Sequence, residues 1–88
     1  MLWGYAQFPD ETAIAHSELK DDGTITIAIE RPRDWGFDSA WCLLPEYRWS
    51  EVDGFSQEEV THLEEFLRNN APLIYEFARD PENRWEAA

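Results

Sequence analysis

Cys42 with His16 or His62, the two histidines of this sequence, could pair as a nucleophile and a base near neutral pH. Thiolate attack needs a base within hydrogen-bond reach, and a structural zinc needs four nitrogen or sulfur donors at short spacing. Neither pattern is present, since no HExxH or CxxC motif occurs. One cysteine also excludes an internal disulfide and a multi-cysteine zinc site. Cys42 therefore reads as a small core hydrophobe, His16 as part of a wetter strand face, and His62 as a surface residue of a helix.

Paired carboxylates do acid–base work only when one member is desolvated. With 19 acidic residues, Glu58-Glu59 and Glu64-Glu65 are expected by composition alone. Asp34, Asp38 and Asp53 fall in segments read as loops but lack the ordered spacing of a calcium loop. The four glycines are scattered and form no phosphate cradle. No catalytic residue, metal ligand or cofactor is expected, and the chain does not read as an enzyme.

What remains is charge combined with aromatic content. Nineteen acids against seven bases give a net charge of -12, alongside five Trp, three Tyr and five Phe in 88 residues. Acidic disordered chains are poor in aromatics, so this one is expected to fold. The charge is spread: residues 1–44 carry eight acids and three bases, and residues 45–88 carry eleven acids and four bases. Such a field repels nucleic-acid phosphates and anionic membranes and attracts cationic partners. It also keeps a small protein in solution whatever its partners. No apolar run reaches the ~18 residues that span a bilayer, and the start of the chain lacks the pattern of a secretory signal. A cytoplasmic location is expected.

Binding hot spots are enriched in Trp, Tyr and Arg. Two connections gather such residues: Arg33, Trp35 and Phe37 in one, and Tyr47, Arg48, Trp49 and Phe55 in the next. If the two loops share an edge, Trp35, Phe37, Tyr47 and Trp49 are the expected anchors, with Glu51, Asp53, Glu58 and Glu65 supplying electrostatic steering. The competing use of these rings is to cover the thin core of a small domain. The functional expectation is a small acidic interaction module that binds and modulates a basic protein partner, in the manner of an antitoxin or inhibitor. The alternatives are a homo-oligomer, joined through a sheet edge or the aromatic patch, and a small-molecule-binding domain.

The elements that must position these residues form an α+β domain over residues 1–80, with 81–88 as a frayed tail from which Trp85 could dock back. Leu2 to Phe8 reads as a first strand ending at Pro9-Asp10, and Thr12 to Lys20 as a second. Asp21-Asp22-Gly23 signals a hairpin. Thr24 to Glu30 alternates, with Ile25, Ile27 and Ile29 on one face. With Lys20 opposite Thr24, Ser17 would face Ile27 and Ala15 would face Ile29. Residues 31–36 read as a loop, Ser39 to Leu44 as a last strand and Glu46 to Gly54 as an irregular connection. Ser56-Gln57-Glu58-Glu59 is a capping box, with Phe55 and Val60 as its staple. The apolar stripe of Val60, Leu63, Phe66 and Leu67 follows, and Glu65 can pair with Arg68. Pro72 is expected to end this helix, and a second, shorter one is expected to bury Leu73, Ile74, Phe77 and Ala78. The predicted architecture is an antiparallel meander of three to four strands with two C-terminal helices on one face.

Overall fold

A computed structural model describes residues 1–81; residues 82–88, most of the segment expected to fray together with Trp85, lie outside the described residues. The fold is α+β. Strands β1 (Trp3–Gln7), β2 (Ala13–His16), β3 (Ile25–Arg33), β4 (Gly36–Leu44) and β5 (Arg48–Asp53) form one antiparallel sheet in the order β1-β2-β3-β4-β5. Among the described residues a single helix, α1 (Gln57–Arg79), lies on one face.

Ile25, Ile27 and Ile29 point to that face, joined by Ile14, Ala40, Cys42 and Leu44. Leu63, Leu67, Ile74 and Ala78 of α1 complete the core. Burying such aliphatic side chains contributes roughly 1.5–3 kcal/mol each, which is how a small sheet and one helix hold together.

Two helices were expected, and the described residues form one. The buried stripe of Leu63, Leu67, Ile74 and Ala78 keeps helical period across Pro72. A proline in a helix interior costs about 3 kcal/mol. The fully buried Ile74 and Ala78 offset that cost, and the Leu19 amide donates to the Ala78 carbonyl at 2.8 Å, tying the last turn to the β2–β3 connection. At the other end the capping box forms as expected: the Glu59 amide donates to Ser56 Oγ, and the Ser56 amide to Glu59 Oε1. Arg68 pairs with Glu64, one turn earlier, and not with Glu65.

The sheet has five strands where three or four were expected. The additional strand is β5, whose sequence does not alternate and whose pairing with β4 is irregular where Glu51 sits at φ 50°. The segment expected to be a loop over 31–36 is mostly strand. Arg31 stands opposite Asp38 across β3 and β4 and donates Nε to Asp38 Oδ2 at 2.9 Å. That cross-strand ion pair carries the hairpin to its tip at Asp34-Trp35.

The register of β2 on β3 also departs from expectation. Lys20 does face Thr24, as the turn requires, but Ser17 donates its amide to the Thr26 carbonyl. Glu18 and Leu19 therefore share the space opposite Ile25, and beyond this bulge the pairing has slipped by one residue. Ile14 now faces Ile29 and His16 faces Ile27. A slip of one exchanges the two faces of a strand, so His16 is fully buried under the helix and does not line the wetter face.

Candidate functional site

The burial of His16 puts it on the same face as Cys42, with Ile27 between them. Two strand spacings separate the pair by about 9.6 Å, so thiol and imidazole do not meet. His16 Nδ1 lies 2.8 Å from the Ser17 carbonyl; a carbonyl only accepts, so Nδ1 carries the proton. Trp3 stacks on the ring at 6.2 Å. Burial pushes the Cys42 thiol up to about 12, with the Glu64 carboxylate adding to the effect. These are packing residues. Among the described residues no group of three or more His, Cys, Asp or Glu is arranged to hold a metal ion. Asp38 in particular is committed to Arg31 and Arg33.

Successive strands reverse direction, so the β1–β2 turn, the β3–β4 tip, the β5–α1 connection and the start of α1 all lie at one end of the sheet. The β4–β5 turn lies at the other. Trp35 and Tyr47, read from sequence as neighbours, are thus separated by the length of β4, about 27 Å at ~3.4 Å per residue. The expected single patch divides accordingly. Tyr47 packs against the core with the Arg68 guanidinium 4.0 Å above its ring, and Trp49 donates Nε1 to Glu64 Oε1 at 2.9 Å across the sheet–helix seam. Both rings cover the core.

Trp35 and Phe37 do not. They are 81% and 63% exposed, at the tip and first residues of the β3–β4 hairpin. Asp34 and Asp53 are exposed at this same end, with Glu58 in the first turn of α1. Glu51 is exposed along β5, and Glu65 lies on the outer surface of α1, away from the tip. Sequence reasoning missed Trp41, which lies on the strand expected over Ser39 to Leu44. Pairing with Ala28 and Ser50 puts Trp41 on the sheet face opposite α1, 37% exposed. Phe37 is four residues earlier on the same strand and so shares this open face, about 13 Å away. Glu30 stands beside them, paired with Ser39. Alternation along β4 was the available signal.

Beneath the tip, on the helix side, charge is neutralised. The Arg31 guanidinium is nearly buried, bonded to Asp38, to Glu59 and to the Gly54 carbonyl at 3.2 Å, and lies 4.5 Å over the Phe55 ring. Glu59 is held down to about 2, first by its hydrogen bond from Arg31 and then by the Ser56 amide. Desolvation would raise Asp38, but hydrogen bonds from Arg31 and Arg33 outweigh it and hold its carboxyl below the usual range. Gly54 packs on Asp38 so closely that a methyl group there would lie 2.0 Å from Oδ1.

Next to this network is a cleft of about 340 Å³. Phe8, Phe55, Leu63 and Phe66 form its apolar wall, while Asp10, Thr12, Glu59 and His62 supply polar groups. Among the described residues no helix is long and apolar enough to cross a membrane. Compared with models of protein families, with curated proteins and with solved structures, the chain matches none.

Proposed function

We propose that this protein is an acidic interaction module that docks a basic protein partner on the open sheet face and hairpin tip, using Trp35, Phe37 and Trp41 as anchors. The observation that supports this reading most is the exposure of Trp35 and Phe37 at an end that also carries Asp34, Asp53 and Glu58. An apolar patch rimmed by polar residues marks a contact surface, and a chain of net charge -12 favours a cationic occupant. The carboxylates Glu51, Asp53, Glu58 and Glu65 steer association, and the rings hold the complex. Binding of this kind would modulate the partner by masking its basic surface, in a reducing, cytoplasmic setting suited to a lone thiol.

The test is a tagged pull-down from the native host, washed at low and then high salt. Wild type should retain a basic protein in stoichiometric amount, and the W35A/F37S double variant should lose it with unchanged melting temperature. Equal retention by the variant removes the rings from the interface. A second reading, self-association through the open face, draws on Trp41 standing between two shallow depressions there. Charge repulsion would then make assembly strengthen with salt, the opposite of the behaviour of a basic partner.

A further inference from the structure

The cleft beside α1 has the size and lining of a ligand site and is distinct from the open sheet face. Its volume, about 340 Å³, falls in the range of small-molecule pockets, which pair apolar walls with a few polar groups. The kind of ligand follows from charge. Among the described residues Arg31 is the one formal cation lining the cleft, and both Asp38 and Glu59 are bonded to it. It is therefore spent, as is Glu59, and an anion entering the cleft would meet the Asp10 carboxylate with no free positive partner among the described residues. Asp10 is exposed at the mouth, where it accepts the Thr12 amide at 2.9 Å. Thr12 in turn accepts the Phe8 amide, at 2.9 Å, so the Phe8–Thr12 turn that carries both the acid and the first ring is pinned. The apolar wall already shows how it receives a cation: the Arg31 guanidinium lies over Phe55 at 4.5 Å. Phe8 and Phe66, edge to face at 5.0 Å, extend that wall toward Asp10 and His62.

We propose that this cleft binds an organic cation, a primary amine or guanidinium on an apolar stem, with the stem against Phe8 and Phe66 and the charge at Asp10. The inference does not depend on the partner-binding reading, because it uses other side chains. Two sources carry this chemistry: a free arylalkylamine, or an arginine side chain presented by another chain.

The test is titration of the isotope-labelled protein, followed by amide NMR, with 4-phenylbutylamine, its neutral counterpart 4-phenylbutanol, and Nα-acetyl-arginine amide. The amine should give saturable shifts at Phe8, His62 and Phe66 and bind roughly fivefold tighter than the alcohol. Asp10→Asn keeps the acceptor for the Thr12 amide and removes the charge; it should weaken the amine about threefold and leave the alcohol unchanged. Glu76→Gln, the same charge change on an exposed residue that does not line the cleft, should have no effect. Tighter binding of the arginine amide than of the arylalkylamine assigns the side-chain source, and the reverse order the free amine. Equal affinity for amine and alcohol, equal losses in the two acid variants, or no saturable shift with either cation would overturn the proposal.

Discussion

Gly54→Ala is the substitution for which the structure specifies the largest effect from the smallest chemical change. Gly54 has φ 91°, a conformation costly for any residue with a Cβ. A methyl group there would lie 2.0 Å from Asp38 Oδ1, 2.5 Å from Cγ and 2.8 Å from Cβ. Rotating the carboxylate away does not relieve the overlap, because the Cβ itself is too close and the carboxylate is anchored by Arg31 and Arg33. Backbone strain contributes about 1–2 kcal/mol, and overpacking of a filled site a further ~1–3 kcal/mol. The expected loss is thus about 2–5 kcal/mol, against a total stability of roughly 4–13 kcal/mol for a domain of this size. Gly23 is the internal control. Its φ of 84° is similar, but nothing lies within 4 Å of a built Cβ, so Gly23→Ala should lose only the strain, about 1–2 kcal/mol. Urea denaturation followed by tryptophan fluorescence reads the difference as a midpoint gap of about 0.7–3 M, for a slope near ~1–1.5 kcal/mol per M. Equal midpoints for the two variants would refute the argument that Gly54 is needed for its contact with Asp38.

Pro72→Ala should stabilise by about 2 kcal/mol, raising the melting temperature by ~10 °C, since the helix continues past an exposed proline; an unchanged or lower melting temperature would refute the local cost assigned to the proline. The Glu59 carboxyl is lowered from 4.5 to about 2 by Arg31 and Ser56, so its contribution is complete above pH ~4.5 and is lost as pH falls toward ~2. Glu59→Gln should therefore flatten the dependence of the urea midpoint on pH across that window, and an unaltered slope would count against the pairing. Trp49→Phe, which removes the bond to Glu64 while keeping a ring in the seam, should cost about 1 kcal/mol; no change in midpoint would place the indole outside the sheet–helix contact.

Local chemistry carries some of these features without help from the fold. Ser56 and Glu59 cap the helix because both partners lie within one turn, and Asp21-Asp22-Gly23 closes its hairpin because the turn needs only its own residues. The alternation of Ile25, Ile27 and Ile29 marks a covered face on any sheet. Net charge, the lone cysteine and the lack of spaced metal or nucleophile motifs are likewise properties of the chain.

The candidate site is different, because each of its parts depends on contacts between segments distant in sequence. The bulge at Glu18-Leu19 decides which way His16 points, and no local pattern announces it. The nine residues of β4 decide that Trp35 and Tyr47 stand at opposite ends, which their spacing in sequence conceals. Whether a ring is an anchor or core cover is likewise settled by what lies across from it: Glu64 and Arg68 of α1 take Trp49 and Tyr47, while Trp35 and Phe37 at the tip stay exposed. Pro72 gives way to the burial of Ile74 and Ala78 for the same reason, since about 3 kcal/mol of local preference is set against packing that only the folded sheet supplies. Sequence determined the types of side chain and the short-range turns and caps; tertiary structure decided their company, because burial and register are settled between segments and not within them.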